Sequence, residues 1–440
     1  MILEIMQHHY LAHSVPDLNR RIEQFLQDTR NNDSAALDIL REFKVEPGEV
    51  REALNRLQEA EGALASNANG NAVFFAHDSA ISQAQSVLQR YFITNNLIQK
   101  NETAGAAAVT SPISDVRLSE SVVAQPAKRL FGKMSQTDAG WIACWSAMAF
   151  RRLSGRRDFP IQPAAPRPTP DDARVFLIGD WGSGITRAKK VADRIQVMLQ
   201  VQMNREQHVI HLGDVYYSGW PEEYDDHFLV HWPVRPGEEQ KYGSWSLNSN
   251  HDMYSGGFGY FDHLLTDRRF KDQQQSSHFS LLTNHWLILG LDTAWTDEDL
   301  AGDQADWVRR QQAAHPEKKL ILMSHHQPIS AFGKHCPALL RLMQQNKVTA
   351  WFWGHEHRFV LYAHRPDLPY GRLIGHGGVP VWAENGSSSP EVDYVSTRSF
   401  RSGVEKFALF GFAEMDLKGD HIDMRYYDEY GNVERSETIR

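Results

Sequence analysis

Residues 174–182 read RVFLIGDWG, and residues 208–217 read HVIHLGDVYY. In each, a short apolar run rich in β-branched residues stops at Gly-Asp. Runs of this length bounded by glycine fit buried strands better than helices. Between them, Ala188–Met203 carries apolar residues at helical spacing. The alternation continues through Trp286–Leu291, a helical stretch near Gln304–Gln312, Leu320–Met323 and Val348–Trp353. It predicts an α/β layered domain. Phe407–Leu417 and His421–Tyr427 then read as paired antiparallel strands around Lys418-Gly419-Asp420.

Upstream the texture differs. Prolines at 160, 163, 166, 168 and 170 crowd the stretch 158–172. Proline lacks the backbone donor that helices and sheets need, so this stretch predicts an extended linker. Residues 1–157 read as mainly helical. Leu18, Ile22, Phe25 and Leu26 follow Ser14-Val15-Pro16; Val50, Leu54 and Leu57, then Ile81, Val87, Leu88, Phe92 and Leu97, make further stripes. Trp141–Phe150, followed by Arg151, Arg152, Arg156 and Arg157, fits a buried helix better than one lying on anionic lipid. The expected organisation is a helical region over 1–157, a linker over 158–172 and a second domain over 173–440.

A length of 440 residues suits two or three domains, and 41% hydrophobic residues suffice for a sizeable core. Forty-six basic against 55 acidic side chains give −9, which removes any global electrostatic case for holding a phosphate backbone. Cys144 and Cys336 are too few for a disulfide framework or a thiolate metal site, which fits a reducing compartment. The N-terminus lacks the basic-then-apolar pattern of a signal peptide. The longest strongly apolar run, Trp141–Phe150, is half the ~20 residues a spanning helix needs. A cytoplasmic protein is expected, with no transmembrane segment and no nucleic-acid signature.

The chemistry gathers where strands stop. Gly179-Asp180-Trp181-Gly182 and Gly213-Asp214-Val215-Tyr216-Tyr217 follow the first two. Ser249-Asn250-His251-Asp252 lies in a loop. Ser324-His325-His326-Gln327-Pro328 and Gly354-His355-Glu356-His357 follow two later strands. Segments beyond the carboxyl ends of strands can share one crevice. Carboxylate and amide oxygens with imidazoles suit iron, manganese or zinc rather than a soft thiolate-bound ion. Two aspartates with three or four histidines exceed the needs of one tetrahedral ion and are enough for two if one aspartate bridges. Singly, each cluster has a plain reading: a Gly-Asp turn, an asparagine cap, a packed histidine pair. His355 and His357 are stronger, because i and i+2 on an extended segment face one side. Five independent turns in this order are a poor explanation.

In this series (GDWG, GDVYY, SNHD, SHHQP, GHEH) the chain resembles the calcineurin-like metallophosphoesterase superfamily over residues 174–435, in the variant closest to the purple acid phosphatases. The resemblance implies a β-sandwich flanked by helices and a phosphoesterase with two divalent or trivalent ions, Fe, Mn or Zn. It implies hydrolysis of phosphate mono- or diesters by attack of a metal-bound hydroxide. One ion would be held by Asp180, Tyr217 and His357, with Asp214 bridging to a second on Asn250, His325 and His355. His251 would contact the phosphate and act as acid; of the ambiguous pair His325-His326, His325 is the ligand chosen, and His326 would support a ligand or touch substrate. Gly182 stands where most of the superfamily has histidine, so the first ion leans on a tyrosine, with Tyr216 beside Tyr217 as the competing phenol. Ser249 replaces a usual glycine.

Asp252, next to His251, is a candidate for orienting that imidazole, against a solvated loop acid. Asp292 reads as a strand-terminal cap before a support for the site, and His376 in GHGG as a plain turn. Trp220, Tyr224, Trp232 and Trp245 read as packing rather than as a platform for a substrate ring. Two rival functions are weaker. A nuclease lacks its basic, aromatic-interleaved tract. A non-catalytic, metal-stabilised domain supporting a protein-binding N-terminal module would have no need of His251.

Overall fold

The computed structural model describes residues 156–440, apart from 202–203, 297, 331–334, 382, 384–388 and 403–404, together with scattered positions between 23 and 58. Residues 23–24 and 26–30 are helical, with Leu26 buried. The other helical stripes expected before residue 156, Trp141–Phe150 and Cys144 lie outside the described residues.

Two sheets build residues 157–440. The first has six strands: β2 (Arg174–Ile178), β3 (Gln207–His211) and β4 (Tyr242–Ser246) run parallel, and β14 (Gly411–Lys418), β15 (His421–Asp428) and β16 (Val433–Ile439) continue antiparallel from β2. The second has eight strands in the order β1 (Arg167–Pro168), β5 (Phe279–Leu282), β6 (Trp286–Gly290), β7 (Lys319–Ser324), β8 (Val348–Trp353), β10 (Tyr370–Ile374), β9 (Phe359–Tyr362) and β11 (Val392–Val395). Its centre, β6-β7-β8-β10, is parallel. A two-stranded pair, β12 (Ser399–Ser402) with β13 (Glu405–Ala408), stands apart from both.

Side-chain alternation explains why these strands read as unbroken apolar runs. In β7, Ile321 and Met323 face β2, β3 and β14 residues such as Val175, Leu177, Ile210 and Met415 in a core between the sheets. Leu320 and Leu322 face the other way, onto α3 (Gln304–Ala314) through Trp307 and Val308 and α4 (Pro337–Gln345) through Leu339 and Met343. A strand covered on both faces has no polar face to show. On the six-stranded sheet, α1 (Thr186–Val201) buries Ala188, Val191, Ala192, Ile195 and Leu199. The result is a β-sandwich flanked by helices.

One expectation is corrected here. The proline-rich stretch is not wholly outside the sheets, because Arg167–Pro168 pairs in parallel with Leu281–Leu282. The Ala164 and Thr169 N–H groups also donate to the His278 and Leu282 carbonyls. Proline is tolerated on an edge strand, where only one side of the backbone must pair. The aromatic residues of 218–248 are packing: Trp220, Tyr224, Trp232 and Trp245 are buried, and Phe228 stacks on Trp232.

Candidate metal centre

The turns after β2, β3, β7 and β8, with α2 (Asn250–Tyr254) after β4, meet at one end of the sandwich. The backbone bends hard to bring them there. Among the described residues eight non-glycine positions have positive φ, and four are Asp180 (54°), Asp214 (80°), His355 (73°) and His357 (47°). That conformation is costly for side chains with a Cβ and concentrates at functional sites. Close packing adds to it. A Cβ on Gly213 would lie 2.6 Å from the His325 ring nitrogen, and one on Gly354 would lie 2.5 Å from Asp180 Oδ2.

Asp180 and Asp214 are fully buried. Asp180 accepts the His355 N–H on both oxygens, at 3.0 and 2.9 Å. His357 Nε2 lies 3.4 Å from Asp180 Oδ1 and 3.9 Å from Asp214 Oδ2. On the other side of Asp214, His325 Nε2 lies 3.3 Å from Oδ1, 2.9 Å from Asn250 Oδ1 and 3.2 Å from His355 Nδ1. His325 Nδ1 faces the Leu212 carbonyl at 2.9 Å, which calls for a proton on Nδ1 and leaves Nε2 a bare lone pair. Around that nitrogen stand a carboxylate oxygen, an amide oxygen and a second imidazole nitrogen, the donor types of a metal site.

The electrostatics carry the same message. Burial and the Asp214 charge push the Asp180 carboxyl well above the usual range. Burial opposes the Asp214 charge as well, but His325 and His251 outweigh it and hold that carboxyl low. Asp214 Oδ1 and His326 Nε2 are buried with no hydrogen-bond partner. Two carboxylates sharing a buried site, one with an unpartnered oxygen, would be stabilised by a cation, and the donor set fits hard or borderline ions. Possible ligand atoms fall into two groups, Asp180-Asp214-His357 and His325-His326-His355, each within 4.8 Å.

Two observations bear on the expected roles. Tyr216 brings its phenol to the cluster. Its hydroxyl donates to Asp214 Oδ2 at 2.6 Å and lies 3.0 Å from His357 Nε2. The Tyr217 backbone serves elsewhere, its N–H donating to Glu223 and its carbonyl facing His251 Nδ1 at 2.7 Å. The family resemblance implies Tyr217; in the turn seen here the Tyr216 N–H bonds the Gly182 carbonyl at 2.9 Å and the Tyr216 hydroxyl lies among the carboxylates. Asp252, in turn, is not the acceptor that orients His251. That acceptor is the Tyr217 carbonyl. The Asp252 carboxylate, pushed up to about 8 by burial and Asp214, accepts from Val215 N–H, Tyr224 Oη and Ser249 Oγ. It ties the second and third motifs together.

The remaining candidates divide. His326 lies in the site, with Nδ1 3.0 Å from Thr293 Oγ1. Asp292 accepts from the Ala294 and Trp295 N–H groups and from Asn248, a strand-terminal cap. His376 stacks on Phe359 as part of the packing. Thr293 and Glu223 were not anticipated, since neither stands in a motif; a glutamate two residues into a Pro-initiated turn was the only available signal.

The profile of the calcineurin-like phosphoesterase family matches residues 173–359, which carry all five clusters. Residues 173–359 form a calcineurin-like phosphoesterase domain. Tartrate-resistant acid phosphatase type 5 of Sus scrofa is 25% identical over 298 residues, covering 60% of this chain and 85% of its own. The motifs are thus of the purple-acid-phosphatase variant, and the enzyme is a metal-dependent hydrolase of phosphate esters. Among solved structures, GAP50, the anchor in the inner membrane complex of Plasmodium, gives a TM-score of 0.45 at 11% identity, over 61% of this chain and 88% of that one. A dimetal phosphatase from Danio rerio gives 0.41 at 13%, over 63% and 99%. Among the described residues no helix is long and apolar enough to cross a membrane.

Proposed function

We propose that this phosphoesterase holds two metal ions and hydrolyses phosphate mono- or diesters. Asp180, Tyr216 and His357 would hold one ion, Asn250, His325 and His355 the other, and Asp214 would bridge. When bound, the ions would supply an activated water and screen the charge of the phosphate. His251 is the acid toward the leaving group. The Tyr217 carbonyl occupies its Nδ1–H, so Nε2 is the nitrogen left to carry a proton to substrate. Burial lowers the proton affinity of His251, while Asp214 and that carbonyl raise it; an arriving phosphate anion adds to the raising side. His326 offers Nε2 to a phosphate oxygen, because the Thr293 hydroxyl can donate to Nδ1 and leave the proton on Nε2.

The observation that carries this reading is the convergence of metal-ligating atoms on His325 Nε2: the Asn250 amide oxygen, an Asp214 carboxylate oxygen and His355 Nδ1, all within 3.3 Å. Metal analysis of the purified protein should find about two equivalents of iron, manganese or zinc, and the loaded enzyme should hydrolyse p-nitrophenyl phosphate or its diester. Metal bound without hydrolysis of either ester would favour the non-catalytic reading.

A further inference from the structure

Glu223 belongs to none of the five motifs, yet its carboxylate gathers the loop that follows Asp214. One oxygen accepts the Tyr217 N–H at 2.5 Å. The other accepts the Ser218 and Trp220 N–H groups at 2.9 and 3.0 Å. The loop has little room to settle otherwise: Gly219 sits at φ +64°, where a Cβ would lie 2.5 Å from Asp252 Cα. The next side chain, Tyr224, donates to Asp252 at 2.7 Å. The turn at Pro221–Tyr224 therefore grips both neighbours of His251, the Tyr217 peptide on one side and Asp252 on the other.

The Tyr217 carbonyl gives this grip a consequence. A carboxylate behind an imidazole attracts it through charge and tolerates some misplacement. A neutral carbonyl orients a ring only as well as it is itself held. Tyr217 is held at its N–H by Glu223 and engages His251 at its C=O, 2.7 Å from Nδ1. We propose that Glu223 is a positioning residue for His251: by fixing Tyr217 it aims His251 Nε2 at the leaving-group oxygen, which takes the proton as the ester bond breaks. This rests on the acid role given to His251 above.

The test uses the full-length, metal-loaded protein and aryl phosphates whose leaving groups run from p-nitrophenol to phenol. A poor leaving group needs the proton and a good one does not, so a misaimed acid shows as a dependence on leaving group. Glu223→Ala should lower kcat on phenyl phosphate by ~10-fold or more and on p-nitrophenyl phosphate by less than ~3-fold, with KM and metal content unchanged. Glu223→Gln, which keeps one acceptor oxygen, should fall between. Added to His251→Ala, Glu223→Ala should cost nothing further. A loss equal across the series, or a full extra loss in the double variant, would overturn the proposal and make Glu223 a structural cap. His251→Ala is read alone first: if its own loss were flat across the series, the acid reading would fall, and this proposal with it.

Discussion

Tyr216 shows how much one residue of register matters. Without a cation its phenol is held protonated, because burial, Asp214 and Asp180 all raise its proton affinity well above the ordinary value near 10. A strongly Lewis-acidic ion between those carboxylates reverses the balance and favours phenolate. Iron-loaded protein should therefore absorb in the visible. Tyr216→Phe should bleach that band and Tyr217→Phe should leave it; a spectrum that survives Tyr216→Phe would remove this residue from the centre. The other residue-scale contrast separates ligand from acid. His251→Ala should lower kcat by ~10²–10⁴ with metal content intact, whereas Asp214→Ala should lose metal. Metal analysis beside the kinetics decides it, and equal metal loss in both would make His251 a ligand.

At the scale of elements, the informative segment is the proline-rich one. Prolines 160–170 argue against regular structure, and most of the stretch obeys. Its end, β1, still closes the edge of the eight-stranded sheet, helped by Ser276 Oγ donating to the Gln162 carbonyl. The division of the chain into domains is therefore proposed to fall before residue 157, not within 158–172. A fragment of residues 157–440 should fold alone. A fragment starting at 173 should melt lower, since it leaves the β5 edge and the His278 and Leu282 carbonyls without these partners. Limited proteolysis of the full chain gives a second reading, in which early cleavage between 160 and 169 would contradict the pairing.

For the molecule as a whole, buried neutral histidines should set the acid limit of stability. Burial holds His278, packed between Phe159 and Trp307, down to about 4, and His376, stacked on Phe359, down to about 3. Both folded values lie below the ~6.5 of an unfolded chain, so acid protonates the unfolded state first. Stability should fall as pH drops below ~6.5 and stop falling from these groups once pH passes their folded values. His278→Phe keeps a ring in place and removes the titration. Between pH 7 and 5 its unfolding free energy, measured by urea denaturation, should fall less than that of the unaltered protein, by an amount on the order of 1–2 kcal/mol. Parallel curves would exclude His278 as a contributor.

The α/β alternation, the five polar clusters and their order were legible in the chain because they are local: a strand's alternation, a glycine turn and a histidine pair each lie within ten residues. The phosphoesterase family and the ligand types followed from that local record. Other features depended on which groups meet in space. That the Tyr216 hydroxyl meets Asp214 and His357 depends on two strand ends coming together in space. Whether Asp252 or a carbonyl backs His251 is set by Tyr224 and Ser249 competing for the carboxylate. The edge strands β1 and β11 are short and half-polar, and only the partner's free backbone groups call them into the sheet. Sequence spacing records neighbours along the chain, and hydrogen-bond competition among buried groups is decided by neighbours across it.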